Sequence, residues 1–189
     1  MADWDERYSR GEHATLEPHR LLVRVTENLA PGRALDIACG AGRHAIHLAQ
    51  LGWQVTAVDA SRVGVELTRE RARERGVTVD ARLADLERGQ FDFKENFYDL
   101  VCVFYYLQRD LFPQLRACVR PGGLFVAAIH MVDASPGVKP MNPDFLLEPG
   151  ELRELFRDWQ IEHDYETPLH DTDAGEHTRR SAEIVAVKN

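Results

Sequence analysis

Three carboxylates and one glycine-rich loop are the residues best placed to do chemistry. In LDIACGAGRHA, residues 35–45, Gly40, Gly42 and Ala45 fit G-x-G-x-x-[GA]. That spacing lets backbone amides approach a nucleotide-bearing cofactor. Asp36 stands four residues before the first glycine, on the apolar run that feeds the loop. Asp59 lies 19 positions after Gly40 (59 − 40), where an acidic residue accepts both hydroxyls of a ribose. Asp85, in LADLE, follows the third apolar run. It can accept from the exocyclic amine of an adenine while Leu86 packs against the ring.

NAD and S-adenosylmethionine share that adenosine, and Asp36 separates them. A carboxylate beside the loop suits the ammonium and sulfonium of S-adenosylmethionine and repels the pyrophosphate of NAD. The alternatives are an NAD-dependent oxidoreductase, which draws on the same glycines and Asp59, and a non-catalytic module that binds S-adenosylmethionine. For the reaction itself, Tyr105 and His130 are the candidate catalytic residues, each just past an apolar run. Adjacent side chains on a strand point oppositely, so only one of Tyr105 and Tyr106 faces a pocket. Arg43 opens the helix after the loop and makes an anion site there. Trp4 and Tyr8 precede the first core element and are positioned to cover the pocket.

These residues need elements to hold them. Pro18 opens a helix over about 18–29, ended by Pro31-Gly32. RALDIA, WQVTAVD, VTVDARLAD, YDLVCVFYYL and LFVAAIHMV read as five strands. Between them the pattern predicts helices over 43–51, over 62–75 with Ser61 as N-cap, and through FPQLRACV. The TRERARER run in the second of these reads as a solvated face. RPGG reads as the turn into the fifth strand. EPGELRELF is a short helix, and WQIEHDYE and RRSAEIVAVK are two final strands. The alternation implies a Rossmann-like, doubly wound α/β fold with helices on both faces. Its sheet is seven-stranded and mostly parallel, with an antiparallel C-terminal strand. Ligands then bind at the carboxyl ends of the strands. Residues 1–189 read as one domain, with 1–30 as an N-terminal lid and helix segment.

The bulk numbers narrow the partners. Net charge is −8, with 44% hydrophobic and 29% charged residues, an ordinary globular composition that disfavours nucleic acid. Cys39, Cys102 and Cys118 read as reduced thiols, no apolar run spans a bilayer, and a cytoplasmic chain is expected. Five groups near the C-terminus (His163, His170, Asp171, Asp173 and His177) match no zinc spacing, so no metal site is expected. Nothing in the sequence specifies an oligomeric state.

LDIACGAGR, VTAVDAS, ADL, YDLVCVFYYLQR and VRPGGLFVAAI together resemble the class I S-adenosylmethionine-dependent methyltransferases. WDERY, GAGRHA and FLLEPGELRELF resemble the small bacterial tellurite-resistance and thiopurine-type group within them. The resemblance implies a cofactor site lined by Asp36, Cys39, Gly40, Gly42, Asp59, Ala60, Asp85, Leu86 and Phe104. It implies substrate contacts from Trp4, Tyr8, Arg43, His177 and Arg179. The implied acceptor is a small molecule with a soft or anionic nucleophile: a thiol, or a selenium or tellurium oxyanion. His44 departs from the group, which more often carries Asn there.

Overall fold

The computed structural model describes residues 4–12, 15–134, 138–168 and 179–189. Seven strands form one sheet: β1 (Arg33–Ile37), β2 (Gln54–Asp59), β3 (Val79–Leu83), β4 (Tyr98–Phe104), β5 (Val119–His130), β6 (Gln160–Glu166) and β7 (Ser181–Val187). Their order is β3-β2-β1-β4-β5-β7-β6. β1 through β5 pair in parallel, and β7 runs antiparallel to both β5 and β6. The order reverses between β1 and β4, which makes their carboxyl ends the expected ligand crevice.

The central strands are buried on both faces, as continuous apolar runs require. One face carries Leu35, Ile37, Val101, Val103, Phe125 and Ala127 into the larger core. The other carries Ala34, Leu100, Cys102, Val126 and Ala128 under α2 (Arg20–Thr26) and α3 (Arg43–Gln50), through Leu21, Leu22, Ala45 and Leu48. Ser61 caps α4 (Arg62–Glu74), its hydroxyl accepting from the Gly64 amide at 3.0 Å. α1 (Trp4–Ser9) lies against α4. α5 (Phe112–Cys118) and α6 (Glu151–Leu155) complete the described α-helices.

Two expectations need correction. RPGG is not a turn ahead of β5 but part of it, since β5 begins at Val119 and its register against β4 shifts between Tyr98 and Leu100. Gly122, at φ +72°, supplies the left-handed residue this irregularity requires. The charged run of α4 is not wholly a solvated face either. Arg71 donates to the Ala41 carbonyl at 2.9 Å, and Arg69 donates to the Ala81 carbonyl at 2.6 Å. Long guanidinium stems reach backbone that local periodicity cannot see.

Candidate active site

The glycine loop is held mainly by its neighbours' side chains. Gly40 and Gly42 both have positive φ, +53° and +83°. A Cβ on Gly42 would sit 2.6 Å from the Thr68 hydroxyl, and one on Gly40 would sit 2.3 Å from the Tyr8 hydroxyl. Thr68, fully buried on α4, donates to the Gly40 carbonyl at 3.0 Å. With Arg71 on Ala41, two loop carbonyls are tied to α4, while the Gly42 amide donates to the Cys39 carbonyl at 2.9 Å.

The two carboxylates nearest the loop differ in how they are satisfied. Asp59 Oδ2 accepts from the Gly40 amide at 2.7 Å and Oδ1 from the Ser61 amide at 2.8 Å. Each oxygen retains a second lone pair, enough for a ribose diol. Asp36 is buried beneath the loop on β1. Its Oδ1 accepts from the Cys102 thiol at 3.5 Å, while Oδ2 has no hydrogen-bond partner in the protein. Burial pushes its carboxyl up to about 7, opposed by Cys102, the Ala45 amide and Arg43. A buried carboxylate oxygen without a donor is a place for a cation. These residues therefore fit S-adenosylmethionine: Asp36 toward the ammonium, directly or through water, and Asp59 on the ribose.

The other cofactor candidates fall as follows. Cys39 is buried in the loop, and burial raises its thiol well above the ordinary value. Ala60 is exposed at the end of β2. Leu86 is buried in the larger core. Asp85 is half-buried and turned into its own loop, where Oδ1 accepts from Glu87 at 3.0 Å and Arg88 lies 3.3 Å from Oδ2. Phe104 points to the α2–α3 face, between the rings of His44 at 4.1 Å and His19 at 5.1 Å. His44 is buried there, and burial drives its pKa well down, which keeps it neutral.

α1 closes over the loop. Asp5 accepts from the Ser61 hydroxyl and from the Val63 amide, pinning α1 to the start of α4. Tyr8 then reaches between Gly40 and Gly64. Trp4 stays outside, 42% exposed, stacked on Tyr8 at 5.7 Å and under the Arg7 guanidinium at 4.5 Å.

Tyr105, His130 and Arg43 come together at the ends of β4 and β5. The Tyr105 and His130 rings stack at 4.7 Å, and the Arg43 guanidinium lies 5.7 Å from the Tyr105 ring. Tyr105 has φ +60°, the left-handed region, with its amide donating to the Ala128 carbonyl at 2.8 Å. A bulky residue there is strained, and strain of this kind gathers at functional sites. Burial raises its hydroxyl to about 12. Arg179 instead donates to the Lys139 carbonyl near the surface, and His177 lies outside the described residues. Arg180, not Arg179, ties the chain together here, donating to the Thr167 carbonyl at 2.8 Å.

The sequence reading missed a cluster beside Tyr105. Phe104, Ala128 and Glu183 lie in one row across β4, β5 and β7. The small Ala128 leaves room for His19, which touches Phe104 and Tyr105 and brings Nε2 to 3.8 Å from Glu183. His163 Nε2 lies 2.9 Å from the other Glu183 oxygen. Among the described residues no cluster of His, Cys, Asp and Glu is arranged to hold a metal ion. No described helix is long and apolar enough to cross a membrane.

Comparison with known proteins places this geometry. Residues 3–182 match the family described as "Tellurite resistance protein TehB". This chain belongs to the TehB family. Its structural neighbours share this chain's fold. It is 26% identical over 176 residues to the "Probable S-adenosyl-L-methionine-dependent methyltransferase TehB" of Haemophilus influenzae, covering 89% of this chain and 60% of that protein. It is 29% identical over 160 residues to "Hemagglutinin 1" of Eikenella corrodens, covering 82% of this chain and 52% of that one. The chain thus spans a little over half the length of these relatives. The crystal structure of TehB from H. influenzae superposes with a TM-score of 0.77 at 23% identity, over 98% of this chain and 67% of that one, which supports the shared fold.

Proposed function

We propose that this chain methylates a small acceptor from S-adenosylmethionine, and that the acceptor is a soft or anionic nucleophile such as a thiol or a selenium or tellurium oxyanion. The observation that carries the reading is Asp36: a buried carboxylate under the glycine loop with one oxygen unsatisfied, matched to an ammonium and opposed to a pyrophosphate. S-adenosylmethionine, when bound, supplies an electrophilic methyl on a sulfonium. The chain's own part is to hold the acceptor over Tyr105 and His130 with Arg43 at its edge. Proximity and orientation of this kind are worth ~7–11 kcal/mol. Family membership supports the transferase reading, and the acidic net charge supports a small-molecule acceptor over nucleic acid.

A coupled assay of S-adenosylhomocysteine release tests it, run over thiols, selenite, tellurite and small carboxylates. Turnover is expected with at least one thiol or chalcogen acceptor. Turnover confined to carboxylates, or absent throughout, contradicts the acceptor class.

A further inference from the structure

We infer that Asp36 is protonated in the free protein and gives up that proton when the cofactor arrives, so that cofactor capture releases a proton and weakens as the pH falls. This rests on the reading that Asp36 meets the ammonium of S-adenosylmethionine, and it adds the state of the carboxyl before and after. The sheet sets the problem. On the face under α2 and α3, Asp36 stands in one row with Ala57 of β2, Cys102 of β4, Val126 of β5 and Val185 of β7. It is 1% exposed, and every neighbour in the row is buried. Oδ1 accepts from the Cys102 thiol, a weak donor, at 3.5 Å, and Oδ2 has no hydrogen-bond partner among the described residues. A charge placed there has no strong donor to replace the water it lost, so the neutral acid is the favoured form.

The groups around Asp36 do not reverse this. The Cys102 thiol of β4 and the Cys39 thiol of the loop are both raised well above their ordinary value by burial, so both stay neutral. Asp59 of β2 opposes a second negative charge, while Arg43 and the Ala45 amide of α3 favour one. His44 of α3 and His19 of α2 stand at Phe104, the next row toward the carboxyl ends, and His47 turns to Thr26. Burial leads, and the carboxyl is held at about 7. An ammonium near Oδ2, directly or through water, changes the balance by supplying the missing countercharge. The Asp36 O–H bond then breaks and its proton passes to solvent. The pair left on oxygen faces an ammonium that keeps its own protons. The sign follows. Above about pH 7 the carboxyl is already ionised when the cofactor arrives, and below it binding must first remove the proton, so affinity falls with pH. The coupling is reciprocal: a charge pair that strengthens binding about 100-fold holds the carboxyl ionised in the complex by the same factor.

Calorimetry with S-adenosylhomocysteine, run in buffers of unlike ionisation enthalpy, counts the protons released. About 0.8 proton per ligand is expected at about pH 6, with affinity about fivefold weaker there than at about pH 7. Methylthioadenosine, which keeps the adenosine and lacks the amino-acid tail, should bind with no proton released, and Asp36→Asn should release none with either ligand. Equal release with both ligands overturns the proposal, because the proton then comes from a group at the adenosine, and so does undiminished release from Asp36→Asn. Binding of S-adenosylhomocysteine with no release also overturns it, and leaves the cofactor reading standing. A second readout uses the wild-type protein alone. The carboxyl-carbon NMR shift of Asp36 at about pH 6 should report the acid in the free protein and the carboxylate in the complex. A carboxylate in the free protein overturns the proposal. If S-adenosylhomocysteine binds at neither pH, it is the S-adenosylmethionine reading itself that fails, and the proposal falls with it.

Discussion

The crevice has two halves built in different ways. Over β1 and β2 the site is backbone held by side chains: amides of Gly40 and Ser61 meet Asp59, and Thr68 and Arg71 hold the loop carbonyls. Over β4, β5 and β7 it is side chain on side chain: Tyr105 on His130, His19 between Phe104 and Glu183, Arg43 at the edge. A backbone cradle suits a ligand common to a whole family, because amides do not change with sequence. A side-chain cluster suits a variable acceptor, because each contact can be exchanged without unmaking the fold.

Mutations that act on only one half sharpen this contrast. The largest expected effect is Asp36→Asn. Removing the buried charge should weaken S-adenosylhomocysteine about 100-fold, ~2.7 kcal/mol, by calorimetry near neutral pH. Its effect on stability has the opposite sign. Asp36 is raised to about 7 by burial, so from about pH 4 to about pH 7 the folded chain keeps a proton that the unfolded chain has lost. Wild-type stability therefore falls as pH rises through that window, and a denaturant series should show Asp36→Asn without this fall. A variant that binds as wild type does would break the division of the crevice.

Next is Gly42→Ala, confined to the backbone half. A side chain at φ +83° that also meets Thr68 should cost about 2–3 kcal/mol, a fall in Tm of about 5–10 °C. The smallest effect lies in the other half. Tyr105→Ala and Tyr105→Gly both remove the ring, but only glycine relieves φ +60°. The glycine variant should melt about 2–4 °C above the alanine variant, ~1 kcal/mol. Equal melting would show that the left-handed conformation of Tyr105 stores no strain.

The same contrast explains what the sequence made legible. The cofactor half is local: the glycine spacing, Asp36 and Asp59 all lie within about thirty residues, and alternating apolar runs set the strand order around them. Tyr105, His130 and Arg43 could be named because each sits at the end or start of an element. His19 and Glu183 could not. They are 164 positions apart (183 − 19), and only the insertion of β7 between β5 and β6 sets Glu183 beneath α2. Arg71 looked like surface charge because helical periodicity reports which way a Cα faces, not how far a guanidinium reaches. Asp5 was passed over because its partner, the start of α4, is 56 residues away. One signal for His19 was present: a polar residue just ahead of an apolar helix is an N-cap.

Calorimetry of the wild-type protein with S-adenosylhomocysteine and, separately, with NADH tests the central claim most directly. S-adenosylhomocysteine should bind with a dissociation constant in the micromolar range, ~8 kcal/mol, and NADH should not bind. Binding of NADH without S-adenosylhomocysteine would contradict the account, because Asp36 would then lie beside a pyrophosphate.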